Sequence, residues 1–540
     1  MDYKDCKVQY IEYEQTGYFS KQVLDYLNGA SSILPFVSHL ATDAGLSAAI
    51  VARQSYPINR KILLDVLKDQ YKDLNTSAEV QSNIQLLSSD QTFTICTAHQ
   101  PNLLTGYAYF IYKIMHAVVL SKHLSKLHPN YNFVPVYYMG SEDDDLQELG
   151  CFKYNGTSYR WETEQTGAVG RMHPQGIDLL LKELFRKLGP PNELTTNIKE
   201  ILQEAYSKHD TIAAATRYIV NALMGTYGVI VLDPDAQLLK QTFKDIIHNE
   251  IIHPKAYELV NETNQALAKQ YDIQAFVRPI NFFYLEGNIR NRIEATTDGN
   301  WRVVNSKIQF SKSEMTNLIE NHPERFSPNV ILRGLFQESI LPNVAFIGGG
   351  SELAYWMQLK AVFNHYNVFY PALVLRQSIQ FQNPLTYRLQ EQLGYDTTTL
   401  FKKKDTLIQR YIESVFGAQL QVDNNVINSI QENIEKIVAQ AATLDANLVQ
   451  SVKAAQSKMN DQLQVITQKF KRAAKRKESV HIARIERLKD SIFPNGSLIE
   501  RFETFLPEYL EYDLDYFETL LQYIRPYGDQ FLWIRPYQLR

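Results

Sequence analysis

The chain has very few cysteines, three in 540 residues (Cys6, Cys96 and Cys151), and no two of them form a CxxC pair. This spacing provides neither a disulfide framework nor a cysteine zinc site, and it favours a reducing compartment. Long hydrophobic runs are also missing, since a stretch such as 133–139 is far shorter than the roughly 20 residues that cross a bilayer. The N-terminal segment alternates charges with tyrosines and has no apolar signal-peptide core. We therefore expect a cytoplasmic protein that does not enter a membrane.

No excess of charge of either sign is present: 55 Lys and Arg stand against 59 Asp and Glu, a formal net charge of −4. Dedicated nucleic-acid binders are usually basic, so this balance argues against a nucleic-acid partner. The composition, 45% hydrophobic with 23 Gly and 20 Pro, is that of a folded globular protein. A chain of 540 residues is longer than a single hydrophobic core usually accommodates, so two or more domains are expected.

Short apolar runs alternate with helical periodicity through the middle of the chain. Strands are predicted at 92–98, 133–139, 229–232, 281–285 and 368–375, and helices at 61–74, 107–127, 175–188 and 211–227. Strand–helix–strand alternation indicates an α/β fold with a Rossmann-like, doubly wound parallel sheet. Because such sheets bind ligands beyond the carboxyl ends of their strands, the loops after Ala98 and Met139 are the expected site.

The C-terminal third has a different pattern of apolar residues. Between about 425 and 490, apolar or small residues recur at steps of three and four with no Gly or Pro, which predicts a coiled coil. We expect a helical hairpin or a dimer contact, with a long helix packed on its own domain as the alternative. A short helix is predicted at 498–506, stopped by Pro507. The expected domains are 1–385, a core with an N-terminal helical segment and insertions at about 151–225 and 245–330, and 386–540, the helical region.

The octet from His99 to Gly106 is the first candidate site. His99 and Gln100 stand at the end of a predicted strand, and Thr105 and Gly106 open a predicted helix. A side-chain hydrogen-bond donor beside free backbone N–H groups suits a phosphate or its developing charge. The alternative is a tight loop in which His99 caps a backbone carbonyl.

The second candidate is the acidic loop Ser141, Glu142, Asp143, Asp144 and Asp145, which follows the strand ending at Met139. Four adjacent carboxylates repel one another unless a cation is present, such as an amine substrate, a Mg²⁺ ion or a nearby arginine. Acidic runs are more often solvated loops, but the position after a core strand favours a function.

The third candidate is a glycine run, Gly348, Gly349 and Gly350, followed by Ser351 and Glu352 at a predicted helix start. Glycines allow a ligand to approach the backbone closely, and Ser351 or Glu352 is a candidate helix cap. The run matches neither GxGxxG nor the P-loop pattern, and a structural turn is the alternative. Arg376, after a predicted strand, and Arg333 are candidate cations for the same face, although a single arginine more often forms a structural ion pair.

At these motifs the sequence resembles the bacillithiol-biosynthesis cysteine ligase family, in a Bacteroidetes-like form. The resemblance runs through residues 99–113, 134–145, 280–293 and 327–360 and the long helix after 425, so it covers nearly the whole chain. One departure lies in the acidic loop, where relatives commonly read Ser-Glu-Asp-His-Asp and this chain has Asp144 in place of the histidine.

The resemblance implies a Rossmann-like core similar to nucleotidyltransferases and class I aminoacyl-tRNA synthetases, with two connecting-peptide insertions and a C-terminal coiled coil that forms a homodimer. It also implies a ligase that adds L-cysteine to glucosaminyl-malate, the last step in making bacillithiol, a low-molecular-weight thiol. In the synthetase-like enzymes a histidine motif after the first strand binds ATP, as His99 would here.

On this basis we expect ATP to activate cysteine, with an adenylate as the intermediate, and no tightly bound metal, although Mg²⁺ is possible. His99 and Thr105 would stabilise phosphate charge, and Glu142, Asp143 and Asp145 would hold substrate groups or accept the amine proton. The remaining expected binding residues are Gln100, Gly106, Lys113, Ser141, Asp144, Arg333, Gly348, Gly349, Gly350, Glu352 and Arg376. The alternatives are a synthetase-like enzyme acting on another acceptor, or a non-catalytic dimeric scaffold.

Overall fold

The computed structural model describes residues 6–512 and 515–537. The chain divides into two compact units: one runs to Pro384 and resumes at Ile499, and the other is Leu385–Leu498. The first division lies one residue from the expected boundary at 385. The segment from Ile499 onward belongs to the first unit, whereas the sequence placed it with the helical region.

A five-stranded parallel sheet forms the centre of the first unit. Its strands are, in chain order, β1 to β5: Thr92–His99, Asn132–Met139, Ile230–Leu232, Asn343–Gly348 and Ala372–Leu375. Their spatial order is β5-β4-β1-β2-β3, and each adjacent pair is parallel. Strand order reverses at β1, so the crevice between the carboxyl ends of β1 and β4 is the topological switch point where such sheets bind ligands. The expected Rossmann-like class is confirmed.

Burial explains why these segments are strands. Every residue of β1 from Thr92 to Ala98 is buried, as expected of a parallel strand covered on both faces. Apolar side chains of the helices Asp43–Arg53 and Tyr109–Leu127 pack with those of β1 and β4 in one core. The strand β4 was not predicted, because its apolar run merges with the glycines that follow it.

Three smaller sheets complete the first unit. An antiparallel sheet has the strand order Gln309–Phe310, Trp301–Val303, Ile289–Ala295, Phe282–Glu286 and Phe326–Pro328. A three-stranded sheet joins the two ends of the described chain: Cys6–Glu12 pairs antiparallel with Gln530–Pro536, which pairs parallel with Ile379–Phe381. Cys151–Tyr154 and Thr157–Arg160 form a hairpin.

The α-helices of the first unit cover the sheets and fill the two expected insertions. They are Tyr13–Thr16, Lys21–Leu27, Asp43–Arg53, Arg60–Tyr71, Ala78–Leu86, Tyr109–Leu127, Leu146–Leu149, Ile177–Phe185, Glu193–Lys208, Ile212–Met224, Gln237–Gln241, Lys244–Ile252, Ala256–Leu267, Lys312–Asn321, Val330–Ile340, Gly350–Trp356, Lys360–His365, Leu506–Glu511 and Tyr516–Tyr523.

The second unit is helical. Its α-helices are Pro384–Gln392, which begins at the last residue of the first unit, Thr397–Leu400, Lys404–Phe416, Asn424–Leu444, Ala446–Lys477 and Ser479–Ile492. The apolar repeat predicted for about 425–490 is divided at Asp445, whose backbone is extended and whose side chain caps the next helix by accepting from the Asn447 N–H at 2.8 Å. The two long helices pack on each other, which agrees with the hairpin prediction and confirms the helical C-terminal domain.

The predicted helix at 498–506 is wrong in detail. Only Ile499–Arg501 forms a 3₁₀ turn, and Pro507 lies in the first turn of the helix Leu506–Glu511 instead of ending one. Proline is tolerated there because the first-turn N–H groups have no partner within the helix. Over the described residues, no helix combines the length and apolar character needed to cross a bilayer.

Candidate functional site

A cavity of about 330 Å³ opens at the carboxyl ends of β1 and β2, beside the start of the helix that follows β4. It therefore lies at the switch point of the sheet. Residues from all three candidate motifs line it, and they are joined by residues from other segments: Ala98, His99, Gln100, Tyr109, Lys113, Tyr138, Gly140, Ser141, Glu142, Asp143, Pro234, Arg290, Pro328, Asn329, Val330, Arg333, Gly349, Ser351, Glu352, Tyr355, Arg376 and Arg501.

His99 is held in one tautomer. Its Nδ1 lies 3.0 Å from the Gln100 carbonyl, which only accepts, so Nδ1 carries the proton and Nε2 accepts from the Tyr109 hydroxyl at 3.0 Å. Burial, together with the nearby positive charge of Lys113, lowers the pKa of His99 to about 4. His99 is therefore neutral at neutral pH: its Nδ1–H donates to the Gln100 carbonyl, as in the alternative of a tight loop, and its Nε2 orients Tyr109 instead of donating to a phosphate.

Tyr109 lies between two guanidinium groups. Its ring centroid is 5.3 Å from the Arg376 guanidinium carbon and 5.6 Å from that of Arg501. Burial raises the pKa of Tyr109 to about 12, so its hydroxyl stays protonated and available to His99. Arg376 itself forms a bidentate buried ion pair with Glu500, at 2.8 and 2.9 Å. Its charge is thus already matched, whereas Arg501 is exposed at the cavity.

Lys113 and Glu352 form an ion pair on the cavity wall. The Lys113 ammonium lies 2.6 Å from the Glu352 carboxylate and donates to the Ala98 carbonyl at 2.7 Å. Burial lowers the pKa of Lys113; burial by itself would raise the pKa of Glu352, but the charge of Lys113 brings it below its usual value. Glu352 also accepts from the Gly349 N–H at 2.8 Å, so it caps the helix that begins at Gly350.

Glu142 is the most buried carboxylate of the acidic loop. One of its oxygens pairs with the ammonium of Lys240, which is fully buried, and the other accepts from the Ser327 hydroxyl at 3.0 Å. Burial raises the pKa of Glu142 in spite of this pairing. Next to it, the Ser141 hydroxyl donates to Asp233. Both oxygens of Glu142 are occupied, so it supports the loop more than it offers a free base.

Asp143 is the carboxylate of this loop that is open to the cavity. It accepts from the Gln100 amide at 3.0 Å and from the backbone N–H of Asp144 at 2.8 Å. Arg290 lies 2.7 Å from Asp144 and 3.8 Å from Asp143, and this cation offsets the repulsion between the two carboxylates. Asp144, where the family resemblance leads us to expect a histidine, therefore binds Arg290 outside the main cavity.

Six expected catalytic or binding residues lie away from the cavity lining: Thr105, Gly106, Asp144, Asp145, Gly348 and Gly350. Asp145 caps the short helix Leu146–Leu149 by accepting from the Glu148 N–H at 3.1 Å. Thr105 is buried with no hydrogen-bond partner for its hydroxyl, and Leu104, Thr105 and Gly106 adopt successive positive φ angles of 50°, 66° and 68°. The first helical N–H, of Ala108, donates to the Glu503 carbonyl. The octet thus forms a tight buried turn beyond Gln100, not an open anion site.

Only one of the three glycines of the run lines the cavity. Gly349 lines the cavity, whereas a side chain at Gly348 would meet Phe346 at 2.8 Å, which explains a glycine there by packing. Gly350 faces Val23 and Phe19 instead of the cavity.

Arg333 is a cation on the wall that forms no close ion pair with a carboxylate in the described part of the chain, although the Glu352 carboxylate attracts it from farther away. Its guanidinium donates to two neutral oxygens, the Tyr355 hydroxyl at 2.8 Å and the Gln337 amide at 3.2 Å, and lies 5.6 Å from the Tyr138 ring centroid. A guanidinium in that state is suited to a carboxylate or phosphate of a ligand.

Sequence reasoning missed Tyr109, Arg290, Tyr355 and Arg501 as lining residues. The first three lie within stretches that carry the family resemblance, and that resemblance is the sequence feature that could have indicated them. Arg501 follows the second unit in sequence, and only the three-dimensional structure brings it to this edge of the sheet.

Comparison with known proteins decides the family. Residues 6–377 match the model of the bacillithiol biosynthesis BshC N-terminal Rossmann-like domain, and residues 379–535 match that of the BshC C-terminal coiled-coil domain. The chain belongs to the BshC family. The resemblance inferred from the motifs is thereby confirmed.

Relatives share nearly the whole length of the chain. A Flavobacterium johnsoniae protein named "Putative cysteine ligase BshC" is 36% identical over 97% of this chain and 98% of its own. A protein of the same name from Cytophaga hutchinsonii is 37% identical over 96% and 97%. A solved structure described as an arginyl-tRNA synthetase from Campylobacter jejuni covers 79% of this chain and 99% of its own at 13% identity, with a TM-score of 0.20, and no argument rests on it.

Proposed function

We propose that this protein is a cytoplasmic ligase that joins the carboxyl group of L-cysteine to the amine of glucosaminyl-malate, with ATP as cosubstrate. Its relatives named as cysteine ligases support the reaction class. The single observation in the molecule that carries the proposal is Arg333, a guanidinium that forms no close ion pair among the described residues and lines a cavity at the switch point. An anionic substrate group would supply that ion pair.

Amide formation from a carboxylate needs a leaving group. In the proposed reaction a cysteine carboxylate oxygen attacks the α-phosphorus of ATP, pyrophosphate leaves, and an acyl adenylate forms. The sugar amine then attacks the acyl carbon, AMP leaves with the C–O bond electrons, and the amine gives up one proton. Arg333 and Arg501 both line the cavity, and in this scheme they would hold phosphate oxygens.

Asp143 is the proposed acceptor of the amine proton. It lines the cavity, and its side chain is one-third exposed, whereas both oxygens of Glu142 are engaged by Lys240 and Ser327. His99 and Tyr109 then act as positioning groups, because Nε2 of His99 already accepts from the Tyr109 hydroxyl.

A resident Mg²⁺ site at the acidic loop is not supported. Within the described residues, no group of three or more metal-ligating side chains is close enough to hold an ion. Glu142 and Asp144 are paired with Lys240 and Arg290, so two of the loop's four carboxylates already have a cation beside them. Magnesium would enter with ATP.

The coiled-coil unit is the proposed dimer contact. Leu448, Met459, Ile466 and Phe470 are 43%, 37%, 38% and 42% exposed. At 100° per residue all four fall on one narrow face of the helix Ala446–Lys477. A periodic apolar face of this kind is suited to pack against the same face of a second copy.

The test is to incubate the purified protein with L-cysteine, glucosaminyl-malate and Mg·ATP and to measure bacillithiol by mass spectrometry. ATP-dependent product with release of AMP and pyrophosphate supports the whole scheme. Release of ADP keeps the ligase and replaces the adenylate by an acyl phosphate. No product from folded protein, together with a deletion strain that still makes bacillithiol, would overturn the proposal and favour the scaffold or another acceptor.

A further inference from the structure

A second cavity, which we call the polar cavity, lies beside the main one. It measures about 410 Å³, and six of its nine lining residues are polar or charged: Asp144, Gln165, Thr166, Asn288, Arg290 and Asn291. Such a lining offers donors and acceptors for hydroxyl groups and little apolar surface for a hydrocarbon or a nucleobase.

Arg290 separates the two cavities and lines both of them. Its position is fixed by the Asp144 carboxylate at 2.7 Å, the Ser327 hydroxyl at 3.2 Å and the ring of Phe283, whose centroid lies 4.1 Å away. Asp143 stands on the main-cavity side of Arg290 and Asp144 on the polar-cavity side. The Arg290 side chain therefore stands between a ligand in the polar cavity and Asp143, the proposed base.

The two substrates of the proposed reaction need more space than the main cavity offers. The main cavity, about 330 Å³, is at the lower end of the range of roughly 300–1,000 Å³ that single ligands occupy. The proposed reaction needs an activated cysteine and a sugar acceptor bound at the same time, so the acceptor must extend beyond the main cavity.

The polar cavity also has side chains that are open to a ligand. Among the described residues, no protein group hydrogen-bonds the side-chain amide of Asn288, which is exposed, or that of Asn291, which is half-buried. The Gln165 side chain is held rigidly, because it donates to the His173 carbonyl and accepts from the His173 N–H, both at 2.9 Å. The cavity thus combines a fixed wall with two free amides, each of which offers a planar donor and acceptor pair to adjacent hydroxyls.

We propose that the polar cavity binds the hydroxyl-rich sugar ring of the acceptor, with its amine directed past Arg290 into the main cavity. The inference rests on the proposed function and deepens it by assigning the acceptor's site. Asp144, where the family resemblance leads us to expect a histidine, contributes through Arg290 and so has a role in forming the acceptor wall.

The test compares Asn291→Ala with the matched control Asn197→Ala, an exposed position on the helix Glu193–Lys208 that lies in neither cavity. We expect Asn291→Ala to raise the KM for glucosaminyl-malate about tenfold, as expected for one lost polar contact. The KM values for cysteine and ATP, and the thermal midpoint, should match those of the control. An unchanged acceptor KM, or a rise for cysteine or ATP alone, overturns the assignment.

Direct binding keeps this outcome separate from that of the proposed function. Isothermal titration of the wild type and of Asn291→Ala with glucosaminyl-malate, and with D-glucosamine alone, needs no turnover. Weaker binding of both probes by the variant supports the polar cavity even if no product forms. Equal binding by both proteins overturns the polar cavity while leaving the ligase proposal standing. A wild type that binds neither probe overturns both.

Discussion

The Lys113 ammonium lies 2.6 Å from the Glu352 carboxylate, and this ion pair links the helix after β1 to the helix after β4. It therefore spans the switch point at which the main cavity opens. Lys113 is 3% exposed, and Glu352 also holds the Gly349 N–H, so the pair fixes the position of the glycine loop against β1.

Lys113→Met should lower the free energy of unfolding by about 3 kcal/mol, because it leaves Glu352 without its cation in a largely buried place. The double variant Lys113→Met, Glu352→Gln should recover part of that loss. Urea denaturation followed by circular dichroism measures both. Lys72→Met, at an exposed ion pair with Asp69, is the control and should have little effect. Equal losses in the single and double variants would contradict a coupled pair.

Two buried histidines make a contribution to stability that is lost in mild acid. Burial lowers the pKa values of His99 and His116 to about 4 each, below the usual value of 6.5. Between pH 6.5 and 4 the unfolded chain binds these protons and the folded protein does not, so their contribution to the free energy of unfolding falls as the pH falls. Each histidine contributes about 1.4 kcal/mol per pH unit in this window. Burial raises the pKa of Glu338 to about 7 and that of Glu508 to about 8, and these carboxyl groups act in the opposite direction, so the histidine contribution is measured as the difference between the wild type and a histidine variant.

Urea denaturation at pH 7, 6 and 5 measures this slope. His99→Gln should reduce the slope of the free energy of unfolding against pH by the contribution of about one bound proton. Above pH 7 the variant and the wild type should have the same slope. Identical slopes below pH 6 would show that His99 is not held neutral by burial.

The acidic loop separates two aspartates that the sequence grouped together. Asp143→Asn should lower kcat about 100-fold if this carboxylate accepts the amine proton. Asp145→Asn keeps a capping oxygen on the helix Leu146–Leu149, away from the cavity lining, and should retain near-normal kcat. Steady-state product formation measures both, and a larger loss for Asp145→Asn would reverse the assignment.

Arg333 tests the anion site. Arg333→Met should raise the KM for ATP about 10- to 100-fold, since it removes hydrogen bonds from a charged donor to an anion, whereas Arg333→Lys should retain part of the affinity. Arg186→Met, at an exposed position of the first unit, is the control. If the KM for glucosaminyl-malate rises instead, Arg333 binds the malate carboxylates and not the phosphates.

Much of the sheet was predictable from sequence because β1 and β2 are buried along their whole length and therefore read as apolar runs. The strand β4 was not predicted because it ends in Gly348, and a glycine run in sequence resembles the start of a turn. In the structure a glycine is required at this position because a larger side chain would collide with Phe346. The break at Asp445 was missed for a related reason: the apolar spacing continues across it, and only the capping bond to Asn447 reveals the new helix start.

The site was predictable to the extent that its residues directly follow strands. His99 ends β1, Asp143 lies in the loop after β2 and Glu352 lies in the first turn of the helix after β4, and all three line one cavity. Their chemistry was harder to predict, because it depends on hydrogen-bond partners outside these motifs: Tyr109 occupies Nε2 of His99, and Lys240 occupies Glu142. Local sequence indicates where polar groups gather, but hydrogen-bond partners decide which of them remain free.

The exposed apolar face of the coiled-coil unit gives the last prediction. Replacing Ile466 and Phe470 together by glutamate places charges on that face, and a homodimer that buries it should dissociate, because an unpaired buried charge costs several kcal/mol. Light scattering after size exclusion should then give the 62.3 kDa mass of a single chain, whereas the wild type should give twice that value. Lys458→Glu, on the same helix but off the apolar face, should leave the dimer intact. A double variant that keeps the dimer mass would show that the contact between copies lies elsewhere.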